Sequence, residues 1–318
     1  MSHSDRGLAD VRSEHFRRDP SFRTAPWYSL MTAPIRFAAT PVFARVYKQS
    51  LGVRLLKDLA VAAWKRGDTA FVLGSGPSIN DLVEAQWAQI RGQTSIGFNW
   101  WLHHPHVPDL YVFENVSERH RLLLAERAAD YEGIPLLLKQ FLTNFSPSKH
   151  RARLGLLRTL PESLRRNIYL SSDLLVPGRS EDELRRWVRN VDRLGLMRPK
   201  DRFQWVPKRT SSLAFLVALC VRAGFRRIVL CGVDLNRPGY FFDDAGASSA
   251  AASVGSDGPF RLHETEDPKI KVLTISQVLS VLTTEVLAPK GVRLEVAHPG
   301  SALAAVIPVY GWSDGGTP

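Results

Sequence analysis

A chain of 318 residues, 44% hydrophobic and 23% charged, is long enough to bury a sizeable core, as one large domain or as a domain with an appendage. Its formal net charge of +11, much of it from arginine, suits phosphates, nucleic acid or an anionic membrane surface; a dispersed, solvated basic face explains it equally well. Only two cysteines occur, Cys220 and Cys231, both in apolar contexts, which excludes a disulfide framework, and no apolar run reaches the roughly 18 residues of a membrane span.

Residues 1–30 are polar and Arg-rich, carry charges where a signal peptide would need an apolar centre, and read as a loose arm of a cytoplasmic protein. From 35 to 66, apolar residues at helical spacing mix with Arg36, Arg45, Lys48, Arg54, Lys57, Lys65 and Arg66. The pattern predicts a basic amphipathic helical segment, which either lies on an anionic membrane, peripheral at its inner face, or packs on its own domain; packing is the favoured reading. The expected organisation is an arm and helical segment over 1–67, a ligand-binding domain over 68–312 and a tail over 313–318.

The domain opens with TAFVLGSGPS, Thr69–Ser78. Phe71, Val72 and Leu73 read as a buried strand, and Gly74-Ser75-Gly76-Pro77-Ser78 as a tight turn whose glycines admit positive φ or a close approach of backbone to a ligand. Pro77 suits the first turn of a helix continued by Asn80–Ile90, and the unpaired amides of such a start attract anions. Ile79 stands where the dinucleotide fingerprint wants a third glycine, and the Lys-Ser/Thr of a P-loop is absent.

A second strand, Ser95–Phe98, ends at Asn99, and a third, Leu110–Phe113, ends at Glu114 and Asn115. Ligands of open parallel sheets sit beyond the carboxyl ends of strands, so three successive strand ends face one crevice. His103, His104 and His106 fall in a Pro-containing loop without matching carboxylates or cysteines, which favours a solvated or partner-stacking loop over a metal site. Residues 116–133 read as helix, Pro135–Leu138 as strand, and Ser180 with Glu183 as the capped start of a charged helix. The stretch from about 140 to 205 is expected to form a lid or insertion. Thr210, Ser211 and Ser212 cap a helix over Leu213–Ala223 ended by Gly224, a start that suits a carboxylate or phosphate. The strand Ile228–Leu230 delivers Gly232, Val233 and Asp234 to the same edge, with Tyr240, Phe241 and Phe242 as a rim. Residues 245–258, rich in Ala, Ser and Gly, read as a mobile loop. His263 precedes a helix expected from near Asp267-Pro268, and the chain closes with a strand at Leu294–Ala297 and a Pro299-x-Ser301 turn.

The order of these motifs resembles the bacterial sialyltransferases of glycosyltransferase family 42 and related sialyltransferase-like nonulosonate and Kdo transferases, from about Phe71 to Pro308. The resemblance implies an α/β fold: a Rossmann-like, mostly parallel sheet with helices on both faces, a variant of the GT-A architecture. It also implies that Gly74, Gly76, Pro77 and Ser78, with Ser75 between them, hold the CMP part of the donor. Asn99 and Asn115 match the family's asparagines, Thr210, Ser211 and Ser212 its Thr-Ser-Gly helix start, and Gly232, Val233 and Asp234 its Gly-Ile-Asp strand end. Of the family's two phosphate-contacting tyrosines, the first position carries Asn236, with Arg237 beside it as a substitute, and the second is Tyr240. His263, ahead of Thr265 and Asp267, matches the general base.

The chemistry suits these residue types. A neutral imidazole takes the proton of an acceptor hydroxyl, and donors such as Tyr240 meet the charge that develops on the departing phosphate. CMP leaves as a monoester, so no metal bridging a diphosphate is required, and the chain has no Asp-x-Asp. The expected function is metal-independent inverting transfer of an acidic sugar from a CMP donor to a glycan or lipid-linked acceptor, with no further cofactor and no nucleic acid partner. Two other readings stay open: a pterin diphosphokinase-like ATP-dependent diphosphotransferase, which gives His263 no role, and a non-catalytic basic module, which predicts salt-sensitive binding to anionic lipid or RNA.

Overall fold

Strand residues point alternately to opposite faces, and the short apolar runs of this chain are apolar at every position, so both faces of each strand are buried. In the computed structural model, which describes residues 45–114, 118–139, 155, 157–209, 211–237, 239–243, 263, 265–267 and 272–312, this pattern gives an eight-stranded sheet. Its strands are β1 (Arg54–Leu55), β2 (Thr69–Leu73), β3 (Thr94–Phe98), β4 (Leu110–Phe113), β5 (Leu136–Leu138), β6 (Ile168–Leu170), β9 (Arg227–Cys231) and β10 (Arg293–Val296), in the spatial order β1-β6-β5-β4-β3-β2-β9-β10. Two further strands, β7 (Ser172–Leu175) and β8 (Trp205–Lys208), form a separate pair. Every pairing of these strands is parallel.

Two cores lie on the two faces. Ala70, Val72, Leu110, Val112, Ile228 and Leu230 face one core, and Phe71, Leu73, Tyr111, Phe113, Val229 and Cys231 face the other. Helices cover both. On the first face pack α4 (Glu181–Arg193), α5 (Ser212–Arg222), buried from Leu213 onward, and α6 (Ile275–Leu282); on the second pack α1 (Glu84–Arg91), α2 (Glu118–Glu126) and α3 (Glu162–Arg166). The α/β class expected from the sequence, with a parallel sheet and helices on both faces, is the one observed. Cys220 and Cys231 are buried thiols whose pKa is pushed up by burial.

Several local expectations change. The segment 35–66 is no continuous helix in its described part: residues 45–51 are helical, Gly52 turns at φ 71°, and β1 joins the sheet beside β6. Leu51, Val53, Leu56, Leu59, Val61 and Trp64 share the two cores, so these residues belong with the sheet and not with an N-terminal appendage. Nor is 140–205 an inserted lid in its described part, because β6 is an interior strand and α4 buries Leu184, Val188 and Val191 in the main core. The last long helix starts at Ile275 rather than near Asp267, because Thr274 and Gln277 form a capping box there. Among the described residues, no helix is long and apolar enough to cross a membrane. The arm 1–44 and the loop 245–258 lie outside the described residues, as do Asn115 and Thr210.

Candidate functional site

The chain leaves β2 toward β3 on one side and leaves β9 toward β10 on the other, so the neighbours β2 and β9 mark a topological switch point, where parallel sheets bind ligands beyond their carboxyl ends. Both sequence motifs, Gly74–Ser78 and Gly232–Asp234, fall there. The two turns are joined by main-chain bonds from Gly74 N–H to the Cys231 carbonyl and from Gly76 N–H to the Gly232 carbonyl, both 2.8 Å. The buried Asp234 carboxylate accepts from Ser78 N–H at 2.9 Å, satisfying one amide of the Pro77–Asp81 helix start.

This corrects the reason for the glycines. Neither Gly74 nor Gly76 has positive φ. A Cβ on Gly74 would lie 2.5 Å from Gly232 O, and one on Gly76 2.6 Å from Asp234 Oδ2, so the two turns themselves approach closely at these glycines. Pro77–Asp81 is a 3-10 turn that stops before α1, since Leu82 and Val83 are extended and Val83 caps α1 through Gln86. Gly232, by contrast, does need its left-handed φ of 62°. Gly232→Ala adds a Cβ 2.8 Å from Gly74 O and 2.5 Å from Ile79 Cγ1. Chemical denaturation should show a loss of about 2–4 kcal/mol, combining left-handed strain and overpacking; a loss below about 0.5 kcal/mol would mean that the turns are not locked as described.

The switch point collects buried side-chain oxygens without a hydrogen-bond partner among the described residues: Ser75 Oγ, Ser78 Oγ, Asp234 Oδ1 and Asn236 Oδ1. Protein interiors pair such groups, so a cluster of them at a strand-end crevice has the chemistry of a polar-ligand site. Hydroxyls can donate to phosphate, and carboxylate and amide oxygens can accept from sugar hydroxyls or an exocyclic amine.

The far wall is built from the end of β10. Ser301 Oγ donates to Val233 O at 2.6 Å, Ala302 N–H to Asp234 O at 2.9 Å, and Asn236 Nδ2 to Gly300 O at 3.1 Å. Held between these bonds, Leu235 adopts φ 62°, a strained conformation for a branched residue and one that concentrates at functional sites. His263 joins the same loop, its main-chain N–H donating to Leu235 O at 2.7 Å, and its side chain is exposed. Thr265 N–H donates to His263 Nδ1 at 3.3 Å, so Nδ1 carries the lone pair of the neutral ring; Thr265 Oγ1 lies 2.8 Å from it. Arg237 pairs with Asp81 at 2.9 Å.

An aromatic wall stands over the first turn. Phe241 N–H donates to Ser75 O, and Asn80 Nδ2 to Phe241 O. Tyr240 stacks on Phe242, which stacks on His103 with centroids 4.0 Å apart. His104 lies against both Trp87 and Trp101, and burial, with His106 and Arg127 nearby, lowers its pKa to about 4. The histidine loop is therefore packed into the protein's own aromatic cluster rather than solvated. Asn99, at the end of β3, has φ 53° and its carbonyl accepts from the buried Tyr111 hydroxyl.

A second polar cluster, missed by the sequence reading except for Glu114 and Ser212, occupies the ends of β4, β5 and β8 and the start of α5. Lys139, wholly buried, pairs with Glu114 and donates to Ser212 Oγ, which donates to Glu114 Oε2 at 3.3 Å. Lys208 Nζ lies 3.7 Å from Glu114 and 3.8 Å from Asp173, and Ser171 Oγ donates to Asp173 Oδ1 at 2.9 Å. Burial would raise the Glu114 carboxyl, but Lys139 and Lys208 hold it at about 2; burial pulls the Lys139 ammonium down to about 8 against the attraction of Glu114. Ser211 caps α5, accepting from Ala214 N–H at 3.2 Å. The sequence signal was present: each lysine ends an apolar strand, LLLK and WVPK, at the edge where ligands bind.

The fold and this edge define a class: a doubly wound parallel α/β domain with a polar crevice at its switch point. No protein-family model matches the chain, and no curated protein matches it. Among solved structures it is similar to the sialyltransferase CST-II in complex with a trisaccharide acceptor and CMP, at 11% identity over 79% of this chain and 89% of that one, TM-score 0.44. It is similar to CstII from Campylobacter jejuni in complex with CMP-3FNeuAc at 11% identity, 79% and 89% coverage and TM-score 0.45. The monofunctional alpha-2,3-sialyltransferase Cst-I from Campylobacter jejuni is 14% identical over 79% of this chain and 83% of that one, TM-score 0.44. These are likenesses of general architecture, and no residue role is carried over through them.

Proposed function

We propose that the chain is a glycosyltransferase that binds a CMP-activated acidic sugar at the β2/β9 switch point and passes the sugar to an acceptor hydroxyl. The observation that carries this reading is the set of unpartnered buried oxygens on Ser75, Ser78, Asp234 and Asn236, gathered between two interlocked turns beside the loop that anchors His263. The Ser75 and Ser78 hydroxyls would meet the phosphate, while Asp234 and Asn236 accept from the ribose or base. His263 would take the acceptor proton and Tyr240 would meet the charge on the leaving phosphate. Displacing a nucleoside monophosphate needs no metal to bridge a diphosphate. The acidic-sugar acceptor is a glycan or a lipid-linked glycan in this reading.

Nucleotide selectivity tests it. Thermal unfolding in EDTA should shift upward by several degrees with CMP at saturating concentration, less with CDP, and not with ATP or NAD, since a ligand at about a hundred times its Kd stabilises by about 2.7 kcal/mol. A shift with ATP that requires a divalent cation would instead support diphosphotransfer. No shift with any of the four would leave the non-catalytic reading.

A further inference from the structure

The first four N–H groups of a helix have no partner inside it and are taken up from outside. At the start of α6 all four go to named oxygens. Thr274 N–H donates to Gln277 Oε1 at 2.9 Å and Gln277 N–H to Thr274 Oγ1 at 3.3 Å, the helix's own capping box. The other two reach beyond the helix: Ile275 N–H donates to Thr265 O at 2.9 Å and Ser276 N–H to Glu266 Oε1 at 2.7 Å. The Ser276 hydroxyl donates to the same Glu266 oxygen, also at 2.7 Å.

Thr265 and Glu266 belong to the turn that carries His263. Glu266 N–H closes that turn on His263 O at 2.7 Å, while His263 N–H donates to Leu235 O at 2.7 Å, so the turn is clamped between the loop after β9 and the first turn of α6. Helix α6 is a firm anchor, with Ile275, Val278 and Leu279 buried in the first core and Gln277 Nε2 donating to Glu181 Oε1 at the start of α4 at 3.1 Å. Of these ties to α6, Glu266 supplies the charge-assisted one: two donors meet one carboxylate oxygen, at the end of the helix where negative charge is favoured. Resting on the reading of His263 as the base given above, we infer that Glu266 is a positioning residue, whose carboxylate fixes the His263 turn on α6 and so sets where the imidazole stands relative to the acceptor hydroxyl. Productive geometry tolerates an error of about 0.5 Å, and a misplacement of about 1 Å costs about 10²-fold in rate.

Release of CMP from CMP-N-acetylneuraminic acid and from CMP-Kdo by the intact chain, with water as acceptor and the spontaneous rate subtracted, tests this. Glu266→Ala should lower kcat by about 10²-fold while the donor KM and the affinity for CMP stay within about twofold of wild type, the split that lost positioning gives and a damaged donor site does not. Glu266→Gln, whose amide oxygen still accepts both bonds from Ser276, should bring kcat back to within about fivefold. In a His263→Ala background, Glu266→Ala should lower the rate by less than about twofold more, because residues that act through one imidazole are not additive. If Glu266→Ala does not fold, Ser276→Ala decides the matter: it keeps the main-chain bond, should lower kcat by about three- to tenfold, and should lose that effect in the His263→Ala background. An unchanged kcat in Glu266→Ala, a loss that Glu266→Gln does not repair, a loss carried by donor KM, or full additivity with His263→Ala would overturn the inference. If His263→Ala lowers turnover and Glu266→Ala does not, only the role of Glu266 fails. If wild type turns over neither donor, or His263→Ala keeps full turnover, the reading of the site fails first and takes this one with it.

Discussion

Lys139→Met should lower the stability of the protein by about 3–5 kcal/mol in chemical denaturation, because it strips one partner from a buried ion pair and leaves the other charge behind. Lys139 has no exposed surface, and its ammonium is the nearest cation to Glu114. Once it is gone, the nearest cation left to the carboxylate among the described residues is Lys208 at 3.7 Å, and Ser212 Oγ loses the Lys139 ammonium that donates to it at the start of α5. Replacing both partners by apolar residues, Lys139→Met with Glu114→Leu, should recover at least half of the loss, since the stranded charge is then absent. A single-variant loss below about 1 kcal/mol would show that the cluster is solvated and the pair weak.

His263→Ala should reduce transfer from a CMP-sugar by about 10²–10⁴-fold and leave CMP affinity unchanged, the signature of a general base that does not hold the donor. The main chain of His263 is fixed to Leu235, one residue from the Asp234 carboxylate that caps the first turn, so the ring is carried by the loop that shapes the crevice. Its Nδ1 faces the Thr265 hydroxyl and main-chain N–H. A steady-state assay of CMP release with acceptor present measures the drop. Full turnover in the variant would remove His263 from the mechanism.

Much of the fold was legible because burial on both faces leaves a plain mark. FVL, LYVF and IVL are apolar without interruption, and each is a strand within a residue or two of its expected bounds. The turns were legible for a different reason, since two glycines and a proline between a strand and a polar run admit few conformations. What those glycines approach was not legible, because Gly232 lies 158 residues beyond Gly74 and only the β2/β9 pairing brings them together. The same distance in sequence hid the charge cluster. Lys139, Asp173 and Lys208 each look like the polar end of an apolar run, and their mutual neutralisation becomes visible only when β4, β5, β7 and β8 are side by side. The segment around 45–66 misled through its composition: its apolar residues at helical spacing belong to a helix end, a two-residue strand and two 3-10 turns whose side chains are divided between the two cores.

One measurement bears most directly on whether the switch point is a nucleotide site: calorimetric titration of the intact chain with CMP in the presence of EDTA, repeated with Asp234→Ala. Saturable one-to-one binding that the variant weakens by at least about tenfold is the expected result, since Asp234 both caps the first turn and offers Oδ1 to the ligand. Absence of CMP binding in the wild type, or equal affinity in the variant, would contradict a CMP site between β2 and β9.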